Sequence, residues 1–288
     1  MSRTTIWAVL QMELLKPKID FVFKRIFGTE ENQDILLDFV NSVFESAGEP
    51  QVLSVDILNP YIDKGAVRDK QSILDIRARG ADGQYINVEI QLWNRKDIEK
   101  RTLFYWAKMY SGQLEEGDPY RKLSKTVTIN ILDFDYIHAE KYHTTFHLRE
   151  DSTSLMLTDD IEIHFIELRK LKEQSYGTQR RLVRWMLFIA GLSNEKLEEL
   201  AMEEPVIRKA LTTLEFLSQD AEARRLYEER QRALRDEISA VEGAREEGRE
   251  EGRLEVARNL LTMGLSVVEI AKATGLPEED ILKLQKPN

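Results

Sequence analysis

Two side chains, Asp75 and Glu89, have the types and spacing that hard-metal chemistry needs. They lie in the stretch 72–93, SILDIRARGADGQYINVEIQLW, which reads as two strands and a tight turn. Ile73, Asp75, Arg77 and Arg79 alternate with Leu74, Ile76 and Ala78, and the Asp82–Gly83 pair is a strong hairpin signal. The return strand, Tyr85 to Leu92, is rich in aromatic and β-branched residues. Strand side chains alternate between faces, so Asn87, Glu89 and Gln91 share one side, and Ile86, Val88, Ile90 and Leu92 share the core side. Asp75 and Glu89 are then expected to meet across the hairpin. A carboxylate pair inside a sheet is costly unless neutralised, and a divalent cation with oxygen ligands does that. The alternative is an exposed strand face on which Arg77 and Arg79 partner the two acids.

Asp on one strand, a short turn, then Glu-X-Gln on the next resembles the PD-(D/E)XK nuclease core in its E-X-Q variant. Three segments in order, KPKIDFVFKRIFG (16–28), RDKQSILDIRA (68–78) and VEIQ (88–91), resemble the Rpn family of recombination-promoting nucleases, grouped with transposases. The Gly-spaced tail rich in Glu and Arg is also typical of that family. The resemblance implies metal-dependent phosphodiester hydrolysis on DNA. Asp75 and Glu89 would bind one or two ions of the Mg²⁺ kind, with Mn²⁺ or Ca²⁺ as relatives, and the Ile90 carbonyl would complete the shell. Gln91 stands where the superfamily usually has lysine; an amide can orient water or a phosphate oxygen but carries no charge. Lys70 is the candidate for the missing charge, against a solvated strand-edge lysine. Lys64, Arg68, Arg95, Lys96, Lys100 and Arg101 are candidates for contacts to backbone phosphates, which position a duplex without reading its sequence. Asp20 has two readings: an N-cap before Phe21, Phe23, Ile26 and Phe27, or an acid near the metal, as the first helix often supplies in the superfamily. A nuclease fold that no longer cuts, serving as a DNA-binding or regulatory partner, is the reading of another class, and Gln91 and the acidic charge speak for it.

The elements that must position these residues follow from pattern. A helix is expected over 30–44, with Ile35, Leu36, Phe39, Val40 and Val43 at helical spacing. A strand over 52–58 precedes the hairpin. The helix over 97–114 is expected to turn Leu103, Phe104, Ala107 and Tyr110 to one side, and Thr126–Leu132 reads as a buried central strand. Helix, three strands, helix and strand give an αβββαβ core, an α/β fold with a central mixed sheet between helices and an α-helical C-terminal extension. Two further strands are expected at 143–148 and 161–167. His138, His143, His147 and His164 show no metal-ligand spacing and are set aside as ligands.

At 288 residues the chain can bury a large core. The organisation expected is a nuclease core over 1–170, a helical subdomain over 171–219, a charged helix or linker over 220–253, and a small helical module over 254–288. From Asp220 to Arg258 there are 12 acids and 9 arginines with no lysine or proline, which suits a long solvated helix. Gly243, Gly248 and Gly252 weaken that helix and leave a frayed linker as the alternative. Ser266 with Glu269 is a capping box. The segment EIAKATGLPEEDILKL resembles a helix-turn-helix, but Glu278, Glu279 and Asp280 at the reading end would repel phosphate, which favours packing or homodimer formation. No apolar run reaches the roughly 20 residues of a membrane span, residues 4–15 make a poor signal peptide, and the absence of cysteine fits a reducing cytoplasm. The net charge of −10 argues against holding nucleic acid by bulk electrostatics, leaving a local basic groove and bound ions as the means.

Overall fold

The computed structural model describes residues 13–58, 76–171 and 180–284. They form two compact units that part between Arg230 and Gln231. The first is built on a six-stranded mixed sheet in the order β1-β2-β3-β4-β6-β5. The strands are β1 (Val55–Ile57), β2 (Ile76–Gly80), β3 (Tyr85–Gln91), β4 (Thr126–Leu132), β5 (His143–His147) and β6 (Ile161–Glu167). β1, β2 and β3 pair antiparallel, β3, β4 and β6 run parallel, and β5 closes the far edge antiparallel to β6. The alternation over 76–91 therefore becomes a hairpin, with Gly83 at φ 85° in the turn where a side chain would be strained.

One face of the sheet carries the main core. Ile86, Val88 and Ile90 of β3 and Val127, Ile129 and Ile131 of β4 pack with the apolar sides of α1 (Asp20–Phe27), α2 (Gln33–Ala47) and α4 (Arg181–Ala190). Phe23, Phe27, Phe39 and Trp185 form a chain of ring contacts at its centre. Trp185 Nε1 donates to Asp38 Oδ2 at 2.7 Å, so the one polar atom of that ring is satisfied. α5 (Asn194–Glu203) and α6 (Pro205–Gln219) extend the same core through Leu197, Leu200, Leu211 and Leu214.

The other face is covered by α3 (Ile98–Ser111), the crossover between the parallel strands β3 and β4. The helix expected over 97–114 is observed over Ile98–Ser111, and its Leu103–Phe104 side faces outward. Leu103 and Phe104 are 48% and 63% exposed, and the buried residues of α3 are Ile98 and Thr102. The reason is that the sheet beneath α3 is polar: Asn87, Glu89, Thr128 and Asn130 project toward it. A helix over a polar layer turns a polar side inward.

α7 (Ala221–Thr262) is one continuous helix of 42 residues that runs through Gly243, Gly248 and Gly252. Its charge pattern supports it locally, with an Arg225–Glu229 pair at i, i+4. Of the two readings for that segment, the helix is observed. The second unit has its own small core of Ala257, Ile270, Leu276 and Ile281, shared by the end of α7, α8 (Val267–Thr274) and α9 (Glu278–Leu284). The capping box at Ser266 and Glu269 opens α8. No helix among the described residues is long and apolar enough to cross a membrane.

Candidate functional site

The strand alternation of β3 places Asn87, Glu89 and Gln91 on the face under α3, as expected from the sequence. All three are buried, with Glu89 only 2% exposed. Asn87 Nδ2 donates to Glu89 Oε1 at 3.1 Å, and Gln91 Nε2 donates to Glu89 Oε2 at 3.2 Å. The two amides therefore hold the carboxylate from both sides along one strand. Arg101, from the first turn of α3, brings its Nε to 3.6 Å from Glu89 Oε2 and lays its guanidinium over the Tyr105 ring. Such a charge half-shielded from water offsets the cost of a buried carboxylate.

Parallel pairing sets Asn130 of β4 beside Glu89 and Thr128 beside Asn87. Thr102 Oγ1 donates to Asn130 Oδ1 at 2.9 Å and so pins α3 to this layer. Asn87 Oδ1 and Thr128 Oγ1 are buried with no hydrogen-bond partner among the described residues. A buried oxygen left so costs roughly 1–3 kcal/mol. At the end of the strand, the Asp133 N–H donates to the Gln91 carbonyl at 2.9 Å, and Lys18 Nζ binds Asp133 Oδ2 at 2.8 Å. A lysine from the start of the chain is thereby tied to the Gln91 end of β3.

The other sequence candidates are distributed as follows. Asp75, Lys70, Lys64 and Arg68 lie outside the described residues. Ile76, the residue after Asp75, pairs with Val88, the residue before Glu89. Arg95 and Lys96 are exposed on the connection from β3 to α3, and Lys100 is exposed in the first turn of α3. Arg95 lies over the Trp93 ring, and the Lys96 N–H donates to Asn94 Oδ1 in a turn with φ 64°. Ile90 has its side chain in the main core. Asp20 is not the N-cap of α1: Ile19 takes that position, and Asp20 is the first helical residue with its carboxylate 2.8 Å from Arg230. Its other oxygen, Oδ1, accepts from the Phe21 N–H at 2.6 Å, so the carboxylate serves both the start of α1 and Arg230. Sequence reading missed Arg101 as the partner of Glu89 and Asn87 as its donor. The signal for Arg101 was present, since it opens the helix that crosses over the carboxylate.

On the opposite face, at the β5–β6 edge, a second polar cluster surrounds Glu162. His164 Nε2 is 2.6 Å from Glu162 Oε1, His164 Nδ1 is 3.0 Å from His143 Nε2, and His143 Nδ1 is 2.9 Å from Ser46 Oγ. Lys125 Nζ stands 2.5 Å from Glu162 Oε2. Burial alone would raise the Glu162 carboxyl, but the His164 hydrogen bond and the Lys125 ammonium outweigh it and hold it at about 2. Burial, and then the neighbouring His164, push His143 down to about 3 from 6.5. Both shifts have the same sign for stability. In the unfolded chain His143 takes up a proton below about 6.5 and Glu162 below about 4.5, whereas the folded protein resists both. Stability is therefore full above about pH 6.5 and falls as pH drops toward 2. Acid titration followed by circular dichroism should show this loss starting near pH 6, with His143→Gln delaying the onset. An onset unchanged in that variant contradicts the assignment.

Neither a curated protein nor a solved structure matches the chain. A family model, that of the PD-(D/E)XK nuclease family transposases, matches residues 17–244, which include the sheet, α3 and the Glu89 layer. The mixed sheet between helices, the buried Glu-X-Gln strand and this match agree, and the chain belongs to the PD-(D/E)XK nuclease family transposases.

Proposed function

We propose that this chain is a divalent-metal-dependent endodeoxyribonuclease of low sequence specificity, serving recombination, mobile elements or defence. The observation that carries the reading is Glu89: a carboxylate sunk in the sheet, aligned by the Asn87 and Gln91 amides, with buried oxygens of Asn87 and Thr128 left without donors. An anionic oxygen and neutral oxygens without donors are the donor set of Mg²⁺, Mn²⁺ or Ca²⁺ rather than of softer ions. Glu89, Asp75 and the Ile90 carbonyl are the residues that would hold the ion. The pairing of Ile76 with Val88 supports Asp75 as the second acid. When bound, such an ion polarises the phosphoryl group and lowers the pKa of an attacking water.

The chain's own residues then divide the work. Gln91 orients water or a phosphate oxygen through its amide. Arg101, beside Glu89, offers the positive charge that Gln91 lacks, and Lys70 is a second candidate. Arg95, Lys96 and Lys100, exposed just beyond β3, contact backbone phosphates. Among the described residues no base-reading element accompanies them, which supports low sequence specificity.

Arg101 also favours a second reading. A guanidinium 3.6 Å from Glu89 neutralises it without any ion, as a non-cutting DNA-binding protein would require. Calorimetric titration with Mg²⁺ separates the two. Saturable binding that Glu89→Gln removes supports the nuclease, and no binding in wild type supports the second reading.

Gln91→Lys restores the commoner motif and should keep cleavage within about tenfold of wild type or raise it. An ammonium adds charge where water is excluded and charge counts most. A loss of a hundredfold or more in a plasmid-nicking assay would show that the amide does work an ammonium cannot.

The homodimer is part of the same proposal. On α7 nothing lies within 4 Å of the position a Cβ would take at Gly243, Gly248 or Gly252, so a second helix could approach there, and closed two-fold pairing is the commonest assembly. A chain ending at Arg230, where the first unit ends, should then scatter light as a monomer, nick plasmid and seldom linearise it. A full-length protein that is itself monomeric contradicts the dimer.

A further inference from the structure

From the cluster at the β5–β6 edge we infer a second metal site, distinct in place and chemistry from the Glu89 layer: Glu49, His147 and Glu162 bind a zinc-like divalent transition-metal ion. His147 and Glu162 are directly opposed across β5 and β6. His147 Nε2 lies 3.5 Å from Glu49 Oε1 and 3.6 Å from Glu162 Oε2. Tetrahedral bonds of about 2.0–2.2 Å set neighbouring donors roughly 3.3–3.6 Å apart, so both carboxylates already stand at ligand spacing from the imidazole nitrogen, and the three ligand atoms lie within 4.8 Å of one another. They are too far apart for hydrogen bonds.

The independent sign is His147 itself. Its side chain is 10% exposed, and its Nε2 is buried with no hydrogen-bond partner among the described residues. An imidazole nitrogen aimed between two carboxylates and bonded to neither is unexplained as packing. It is explained as a ligand, and imidazole with carboxylate selects transition ions over Mg²⁺ or Ca²⁺. The surroundings are prepared in the same sense. Glu162 is fully buried, and His164 holds its Oε1 at 2.6 Å, which leaves Oε2 turned to the site. Outer partners of this kind orient ligands. Glu49 is set by the end of α2. Gly48 at φ 78° terminates the helix, and the Glu49 N–H returns to the Phe44 carbonyl at 2.9 Å.

Lys125 is the rival cation. Its ammonium lies 2.5 Å from Glu162 Oε2, 3.7 Å from Glu49 Oε2 and 2.9 Å from the exposed Asp159. It neutralises the acids when no ion is bound, and Asp159 is the partner to which it withdraws when one is. The metal thus ties the end of α2 to the β5–β6 edge, on the face of the sheet opposite Glu89.

The test uses the purified full-length protein and Co²⁺ as a visible probe, with Zn²⁺ as competitor. In excess Mg²⁺, which occupies the proposed Glu89 site, wild type should bind one equivalent of Co²⁺ and develop the intense visible bands of a four-coordinate cobalt centre, which Zn²⁺ abolishes. His147→Ala should weaken binding by at least about tenfold, the scale on which even outer partners of a metal act. Glu49→Gln, at a half-buried position after the helix, should do the same and carries the test if His147→Ala does not fold. Lys125→Gln should tighten binding by removing the rival. Glu89→Gln should leave it unchanged, which keeps this site separate from the nuclease proposal. Absence of cobalt bands in wild type, or affinities of folded His147→Ala and Glu49→Gln within twofold of wild type, overturns the inference.

Discussion

Glu89→Gln should lower Mg²⁺-dependent DNA cleavage by about a thousandfold or more while leaving the protein folded. On the proposed function Glu89 holds the ion, and removing its charge then forfeits several kcal/mol of transition-state stabilisation; about 4 kcal/mol corresponds to that factor. The fold should survive because the substitution keeps the shape and buries one charge fewer. Glu89 is 2% exposed, with amide donors from Asn87 and Gln91 and the Arg101 guanidinium at 3.6 Å among its partners. Wild type and variant should therefore melt within a few degrees of one another. Cleavage rate and melting temperature are read on the same preparation. A variant that cuts within tenfold of wild type contradicts the role of Glu89. A variant that loses activity only because it unfolds shows Glu89 to be structural.

Trp185→Ala should have the largest effect on stability, a loss of about 3–5 kcal/mol. Trp185 is fully buried and meets Phe27, Phe39 and Phe188 with ring centroids 5.4, 6.3 and 5.8 Å away. Those contacts join α1, α2 and α4 into the layer that supports the apolar side of β3. The substitution opens a cavity there and strips Asp38 of the indole donor, leaving its pair with Arg181. For a unit of this size the loss corresponds to a fall in melting temperature of about 6–20 °C. Trp185→Phe should recover part of it, since the ring contacts return without the indole N–H. A fall of less than 2 °C for Trp185→Ala would mean that the helical layer is not packed as described.

Much of the scaffold was legible because its signals are local. The β2–β3 hairpin is written in a two-residue alternation and an Asp-Gly turn, and the helix over 33–47 in its apolar spacing ended by Gly48 at φ 78°. The face of β3 that carries Glu89 and Gln91 followed from alternation alone. The orientation of α3 did not. Leu103 and Phe104 share a side, but nothing local says which side faces the sheet; the helix crosses the Asn87–Asn130 layer and turns Thr102 and Arg101 to it. Pairing of Glu89 with Arg101 depends on how the crossover packs, which no window of residues specifies. Asp20 bonds the Phe21 N–H at the start of α1, as a local signal suggests, but its pairing with the distant Arg230 is written in no local pattern.

The histidine cluster was hidden for the same reason. Glu49, Lys125, His147 and Glu162 come from four separate elements, and only the sheet order β4-β6-β5 brings them together. A trace was nonetheless present. His143, Thr145 and His147 alternate on one strand and Glu162 and His164 on another, so each strand sends its polar side chains to a single face. Two strands with that alternation, if paired, must build a polar cluster at their seam.

The account's central claim, that Asp75 and Glu89 make a cation-dependent cutting site, is tested most directly by nicking of supercoiled plasmid. The purified full-length protein is compared with Asp75→Ala, with Mg²⁺ and with chelator. Wild type should convert supercoiled DNA to nicked and linear forms only with the ion present, and Asp75→Ala should leave it supercoiled in both conditions. Cleavage by Asp75→Ala at a rate close to wild type, or plasmid left intact by wild type with Mg²⁺, would contradict it.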